Sequence, residues 1–101
     1  NQDDLLAELF SALGHPNRVR IIEFFRDGEH CQCELGDALQ LEQSNISRHV
    51  KILVSAGVLR SRKDGIKTML RISDPRLLEI IDESRGVLLD RLKKRLDAMK
   101  L

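Results

Sequence analysis

Apolar residues near the start of the chain recur at the spacing of one helical face. They stand at i, i+1, i+4, i+5 and i+8, namely Leu5, Leu6, Leu9, Phe10 and Leu13. The pattern predicts a first helix over about residues 4–13 that ends near Gly14. Its apolar face is two side chains wide, which is more than a single packing contact needs.

Two shorter helices are predicted next. Pro16 suits the first turn of a second helix, and Asp27-Gly28 is typical of a stop. The inward side chains of this helix are Val19, Ile22 and either Phe24 or Phe25. A short third helix is predicted from Cys33 to Leu39, followed by a turn over residues 41–43.

A fourth helix over residues 43–55 is amphipathic. Ile46, Val50 and Leu53 share one face, and Gly57 closes the helix. The opposite face carries Ser44, Asn45, Ser47, Arg48 and Lys51. Short polar and basic side chains thus share one side of the helix, and the apolar side is predicted to pack against the core.

The period of the pattern then changes from 3.6 to 2. Residues 58–63 and 67–72 alternate on either side of Asp64-Gly65, a dipeptide that strongly favours a hairpin. We therefore predict a β-hairpin over about residues 58–72. It carries basic side chains at Arg62, Lys63 and Lys67.

A last helix is predicted from Pro75 to about residue 99. Its heptad-like apolar stripe is formed by Leu78, Ile81, Leu88, Leu92, Leu96 and Met99. We expect this stripe and the wide face of the first helix to pack against a second copy of the chain. The expected dimer contacts are Leu5, Leu6, Leu9, Leu78, Ile81, Leu88 and Leu92.

The composition is that of a single folded domain, with 101 residues of which 42% are apolar and 33% charged. A monomer of this size buries about two-thirds of its unfolded surface, so dimerisation would add stability. The sequence has neither a membrane-spanning apolar run nor a basic start typical of a signal peptide, and we expect a cytoplasmic protein. Three aromatic residues disfavour a role that depends on base stacking.

Charge is segregated along the chain. Residues 1–39 contain three basic and eight acidic residues, a net charge of −5, whereas residues 40–72 contain seven basic and two acidic residues, a net charge of +5. Lys and Arg that displace phosphate counterions supply most non-specific affinity for DNA. The overall charge of +1 therefore hides a basic block of the kind that binds nucleic acid.

The element order α-α-α-α-β-β-α is that of a winged helix-turn-helix, mainly helical with a small β-hairpin and dimerising through its first and last helices. In such a fold a recognition helix enters the major groove, and the wing contacts phosphates or the minor groove. This interpretation assigns DNA contacts to Gln43, Ser44, Asn45, Ser47, Arg48 and Lys51, and to Arg62, Lys63 and Lys67 of the wing. The alternative is an ordinary solvated helix face.

Three stretches of the sequence carry a family resemblance. They are residues 41–53 followed by Ala56-Gly57-Val58-Leu59, residues 12–18, and Cys31-Gln32-Cys33-Glu34-Leu35. They resemble the helix-turn-helix signature, the junction of the first two helices and the cysteine box of the arsenic-repressor (ArsR) family of metal-sensing repressors. The resemblance covers nearly the whole chain. It departs at Glu42 and His15, where the family usually has a capping serine and an aspartate.

The resemblance implies a homodimer that binds a palindromic operator without a cofactor and leaves it when an effector binds. Within the family motif Arg48-His49, His49 would either touch DNA or pack beside Val50. The cysteine box implies an effector site at Cys31 and Cys33, for As(III) or Sb(III) in the first place. Arsenic sensors have a third cysteine where this chain has Gly36, so the third ligand would be solvent, a small thiol or His30.

The chemistry of thiols allows Cys31 and Cys33 to respond to other effectors as well. In a reducing compartment we expect both to be thiols, which select soft ions such as mercury or organic arsenic, or react with an oxidant. Residues i and i+2 lie about 200° apart on a helix, so one ion would hold both sulfurs only by distorting the first turn of the third helix. That distortion would shift the recognition helix. A histidine zinc site on the last helix is not expected, because no histidine follows His49.

Two other functions compete with effector-controlled repression. A thiol enzyme would need a phosphate-binding loop, strand-helix alternation or a C-x-x-C pair, and the sequence has none of these. A constitutive DNA-binding regulator with structural, buried cysteines is compatible with the sequence.

Overall fold

The computed structural model describes residues 1–100. Helices and strands follow the predicted order, with one strand added ahead of the third helix. The elements are α1 (Gln2–Leu13), α2 (Pro16–Phe24), β1 (His30–Cys31), a 3-10 turn (Gln32–Glu34), α3 (Leu35–Leu39), α4 (Gln43–Ser55), β2 (Leu59–Asp64), β3 (Lys67–Ile72) and α5 (Arg76–Ala98). The fold is a winged helix-turn-helix, in which α3 and α4 form the helix-turn-helix and β2 and β3 form the wing.

Side-chain caps determine where α1 and α2 begin. The side chain of Asn1 accepts the N–H of Asp4 at 2.9 Å, so α1 begins slightly earlier than predicted. Nδ1 of His15 accepts the N–H of Asn17 at 3.0 Å, and Pro16 occupies the first helical position. A ring nitrogen of His15 therefore caps α2 in place of a carboxylate.

The wing sheet has three strands rather than the two that the sequence predicts. β2 and β3 pair antiparallel along their whole length. His30 and Cys31 form a third strand opposite Leu70 and Met69 of β3, which gives the order β1-β3-β2. A strand of two residues is too short to show an alternation in the sequence. The residues of β1 were instead expected to lead directly into α3.

The tight turn of the wing lies one residue later than predicted. Asp64 pairs with Lys67, so the two loop residues are Gly65 and Ile66. Gly65 has φ +63°, a left-handed value suited to the first central position of a two-residue hairpin loop. The side chain of Ile66 is left at the tip of the wing, 99% exposed.

The core collects apolar side chains from the helices and the sheet. The side chains with no exposed surface are Ile21, Ile22, Leu35, Ile46, Leu53, Val58 and Leu70. α4 has the predicted bounds, and its predicted inner positions Ile46, Val50 and Leu53 are all buried. Since α4 is held by this face, its polar face is directed away from the core.

Only the first turns of α5 pack against the rest of the chain. Leu77 and Ile81 are buried in the core and Leu78 packs against it, whereas residues 82–100 are exposed throughout. The prediction that Ile81 is a dimer contact is therefore wrong, because this position of α5 points inward where the helix still covers the core. Although α5 is 23 residues long, no helix among residues 1–100 is long and apolar enough to cross a membrane.

A surface cluster of charges joins α2 to α5. Arg26 donates to both carboxylate oxygens of Asp82 at 2.7 and 3.0 Å and to those of Glu23 at 2.8 and 2.9 Å. Arg85 lies 3.3 Å from Glu23. The hydrogen bond from Arg26 lowers the pKa of Glu23. The direction in which α5 leaves the body is thus fixed at the surface as well as in the core.

A polar cluster holds α1, α2 and α4 together at the junction of the first two helices. Arg18 donates from Nε to the carbonyl of Ala12 at 2.6 Å and from Nη1 to Nδ1 of His49 at 3.2 Å. The rings of His15 and His49 are 4.5 Å apart between centroids, and His49 is 5% exposed. Burial, with neighbouring positive charge from His15, Arg18 and Arg48, lowers the pKa of His49.

Acid should destabilise the protein through His49. An unfolded histidine has a pKa of about 6.5, so below this pH the unfolded chain binds a proton that folded His49 does not yet bind. The free energy of unfolding should therefore fall between about pH 6.5 and the lower folded pKa. Urea denaturation at fixed protein concentration, from pH 7.5 to 5.5, should show a steeper acid loss for wild type than for His49→Gln. Parallel curves for the two proteins would contradict this account.

Candidate DNA interface and cysteine pair

α4 places the predicted recognition side chains on one face. Asn45 is half-buried, and the exposed members are Gln43, Ser44, Ser47, Arg48 and Lys51. Nη2 of Arg48 donates to Oδ1 of Asn45 at 2.6 Å, one helical turn away. Asn45 therefore directs the guanidinium of Arg48 while its own side chain is partly withdrawn from solvent.

His49 does not belong to this exposed face. Its ring is enclosed between Arg18 and His15, and only 5% of the residue is exposed. Of the two roles considered for His49, the packed one is found in the structure. The assignment of His49 to direct DNA contact is wrong, because a side chain whose Nδ1 already accepts from Arg18 and whose ring is covered cannot reach a base edge.

Two arginines of α2 hold the helices that flank α4, and the sequence analysis missed both. Arg18 binds carbonyls at the end of α1, and Nη2 of Arg20 donates to the carbonyl of Leu39 at 2.7 Å. Leu39 is the last residue of α3, where carbonyls lack partners within the helix. The available signal was that these are two of only three basic residues in the acidic first part of the chain.

Two of the three predicted wing cations are already bonded within the protein. Arg62 donates from Nη2 and Nε to the carboxylate of Glu29 at 2.6 and 2.9 Å, and Nζ of Lys63 donates to Oγ1 of Thr68 at 2.9 Å. The Arg62 guanidinium lowers the pKa of Glu29, a residue that the sequence analysis did not single out. Lys67, at the start of β3, is exposed.

The sulfur atoms of Cys31 and Cys33 are bonded to each other, and the chain has no other cysteine. The expectation of two free thiols is therefore wrong for this structure. Cys31 is 6% exposed, whereas Cys33 is exposed. The sulfur of Cys33 is accordingly the one that a reagent from solvent meets first.

The expected distortion of α3 is not needed to bring the two sulfurs together. Cys31 has extended backbone at the end of β1, and Cys33 lies in the 3-10 turn, so the two do not sit on opposite sides of one helix. Oε2 of Glu34 accepts the N–H of Cys31 at 2.8 Å, which fixes the start of the turn. The two sulfurs therefore lie at the edge of the wing sheet. They do not lie in a strained helical turn through which a bound ion would shift the recognition helix, as the sequence predicted.

Both ring nitrogens of His30, the suggested third ligand, face carboxylates. Nε2 lies 2.8 Å from Oδ1 of Asp27, and Nδ1 lies 3.5 Å from Oε2 of Glu34. The hydrogen bond with Asp27 raises the pKa of His30. Within residues 1–100 no group of three His, Cys, Asp or Glu side chains is arranged to hold a metal ion. The pair therefore stands as a two-sulfur site, and His30 would have to leave Asp27 to act as a ligand.

α1 and the second half of α5 expose large apolar side chains. Leu5, Leu6 and Phe10 of α1 are 49–65% exposed. In the second half of α5 and at Met99, which directly follows it, the exposed set, 43–72% accessible, is Val87, Leu88, Leu89, Leu92, Leu96 and Met99. An open groove of about 1160 Å³ runs between α1 and the start of α5, lined in part by Leu5, Leu6, Leu9, Leu77 and Ile80. The predicted dimer contacts Leu88 and Leu92 belong to the exposed apolar set of α5. Val87 and Leu89 belong to the same set but were not predicted as dimer contacts.

Comparison with known proteins places these features in a family. The family described as "Bacterial regulatory protein, arsR family" matches residues 15–61. An HTH-type transcriptional regulator of Methanocaldococcus jannaschii is 40% identical over 76 residues, which cover 74% of this chain and 85% of that protein. The transcriptional repressor SmtB of Mycobacterium tuberculosis is 37% identical over 78 residues, which cover 77% of this chain and 58% of SmtB.

The fold agrees over a longer stretch than the family match. The crystal structure of Rv0081 from M. tuberculosis superimposes with a TM-score of 0.83 at 34% identity, covering 94% of this chain and 96% of that one. The family match includes the α2 cap, the cysteine pair, the helix-turn-helix and the first half of β2. These are the elements of a transcriptional regulator and not of an enzyme. The chain belongs to the ArsR family of winged helix-turn-helix regulatory proteins.

Proposed function

We propose that the chain acts as one DNA-binding domain, over residues 1–101, of a homodimeric repressor that binds palindromic operator DNA and is released when the Cys31–Cys33 pair changes state. The observation that carries the proposal is the contact between the two sulfurs, one of them exposed, beside the wing. The exposed face of α4 supplies the groove-reading side chains, and Lys63 and Lys67 supply wing charge.

Dimerisation is supported by the apolar side chains that α1 and α5 leave in solvent. The second half of α5 has no packing partner among residues 1–100, although it and the adjoining Met99 include six exposed large apolar residues. Surfaces of this kind on a small chain are typical of subunit interfaces. A two-fold axis through this region would place two copies of α4 in successive major grooves of a palindrome.

A thiophilic ion is the first class of effector that the pair can bind. When both residues are thiols, a soft ion that prefers sulfur can bridge them, since their sulfurs meet without rearrangement of a helix. As(III) or Sb(III) would take these two sulfurs and a third ligand from solvent or a small thiol. Glycine at position 36 supplies no side-chain donor.

The sulfur–sulfur bond favours a peroxide as a second class of effector. The thiolate of exposed Cys33 would attack a peroxide oxygen, forming a sulfenic acid and releasing hydroxide, which is protonated to water. The sulfur of Cys31 would then displace the sulfenic oxygen as a second water and form the Cys31–Cys33 bond. The two thiols lose two electrons and two protons, and hydrogen peroxide becomes two waters.

Loss of the recognition arginine should weaken operator binding without unfolding the protein. Arg48→Ala removes an exposed guanidinium that Asn45 orients, and we expect a loss of about 1–3 kcal/mol, or roughly 5- to 150-fold in affinity. Fluorescence anisotropy with an operator selected from random DNA measures this loss. Lys94→Ala, which removes a charge from the polar side of α5, is the matched control and should bind as wild type. Unchanged affinity of Arg48→Ala would refute the groove assignment.

Replacing the exposed cysteine should leave operator binding intact and abolish release by the effector. Cys33→Ser should bind the operator as tightly as the reduced wild type, because the change is small and lies at the surface. It should no longer be released by arsenite, antimonite, mercury or hydrogen peroxide. The same anisotropy assay, with each reagent titrated in turn, identifies the effector class. Release by peroxide that a phosphine reverses indicates disulfide chemistry, and release by one ion alone indicates metal sensing.

One outcome of that titration would contradict the proposed control. If wild type stays on the operator with every reagent, the cysteines are structural. The protein would then be a constitutive DNA-binding regulator.

A further inference from the structure

The cysteine pair is joined to the wing through the backbone of the sheet. Cys31 lies opposite Met69 of β3, and Met69 lies opposite Arg62 of β2. Directly opposite residues of antiparallel strands place their side chains on the same face. Cys31, Met69 and Arg62 therefore form one row across the three strands.

Glu29 connects the two ends of this row. It stands two residues before Cys31, and its carboxylate accepts two hydrogen bonds from Arg62, at 2.6 and 2.9 Å. The side chain of Glu29 is 28% exposed and that of Arg62 is 56% exposed. A paired carboxylate occupies the guanidinium fork that would otherwise bind a phosphate, and it cancels the charge. In this structure, therefore, Arg62 is masked as a DNA contact.

We propose that Glu29 masks Arg62 from DNA while the Cys31–Cys33 bond is closed, and that opening the bond frees Arg62 to bind a phosphate. The inference rests on the proposed release of DNA through the cysteine pair and names the route of that release. Glu29 acts as a positioning residue for a wing arginine. The recognition helix need not move for this contact to be lost.

The geometry gives a reason for the link between the bond and the ion pair. The bond closes residues 31–33 into a small ring at the end of the two-residue strand β1, which pairs with β3 and directly follows Glu29. A thiol reductant supplies two electrons and two protons, which convert the bond into two thiols and leave the reductant as a disulfide. The two protein sulfurs then separate to non-bonded contact. Cys31 lies in β1, so opening the bond removes a constraint on the edge strand that positions Glu29. Once Glu29 has moved away, the guanidinium fork of Arg62, whose side chain is 56% exposed, is free to bind a phosphate.

The number of phosphate contacts can be read from the salt dependence of binding. Each contact makes the slope of log K against log salt concentration more negative by about 0.9. One additional contact per protomer should therefore steepen the slope by about two for a dimer. A residue that only stabilised the fold would change the affinity without this change in slope.

The experiment measures operator binding by fluorescence anisotropy between 50 and 200 mM salt, on protein reduced with a phosphine or oxidised with hydrogen peroxide. For wild type, the reduced protein should have the steeper slope, by about two, so it loses roughly tenfold more affinity over this range than the oxidised protein. Glu29→Gln should show the steep slope in both states, since the neutral amide no longer masks Arg62. Arg62→Gln should show the shallow slope in both.

Asp64→Asn serves as the charge control, since it removes a wing carboxylate and leaves the Glu29–Arg62 pair intact. It should keep the wild-type difference in slope between the two states. Oxidised Glu29→Gln with the shallow slope of oxidised wild type would overturn the inference.

Two outcomes for wild type separate this inference from the proposed function. Release by peroxide with equal slopes in both states overturns the inference and leaves cysteine-controlled repression standing. If peroxide does not change operator affinity, release by peroxide is contradicted, and so is the inference. Oxidation of the sulfurs would then have no effect on the DNA contacts of the wing.

Discussion

The burial of one face of α4 is the constraint on which the DNA-binding surface depends. Ile46 and Leu53 are fully buried, and His49 between them is held by Arg18. A helix fixed along one side cannot rotate without exposing apolar area, at about 25 cal/mol for each Å². The polar face therefore has one orientation relative to α1, α2 and the sheet. The arginines of α2 extend this control, since they also bind the carbonyl ends of α1 and α3.

Local patterns in the sequence were sufficient for most of the fold. The bounds of α4 follow from its amphipathic period and its flanking turn residues, and Pro16 marks the start of α2 as predicted. β1 was missed because a two-residue strand exists only through its pairing with β3, about 40 residues away. The wing turn shifted by one residue because the register of the two strands, and not the Asp64-Gly65 dipeptide alone, selects the loop.

The candidate site was less predictable, because its key contacts are long-range. Periodicity identified which residues of α4 are exposed, but it could not show that His49 meets Arg18, 31 residues away in sequence, or that Arg62 meets Glu29, 33 residues away. The cysteines were expected on a helix, where they would have pointed apart. Their actual place between a strand and a turn brings the sulfurs together and connects them to the wing.

The charge cluster of Arg26, Glu23 and Asp82 has a consequence for the shape of a dimer. Beyond it, residues 86–98 of α5 extend about 20 Å at 1.5 Å per residue without support from their own subunit. This segment is a lever arm, and a 10° change in its direction at the cluster moves its far end by about 3.5 Å. If two such arms join two subunits, the cluster sets the distance between the two recognition helices. In the proposed dimer, surface charges remote from the DNA would thus determine which operator half-site spacing the protein accepts.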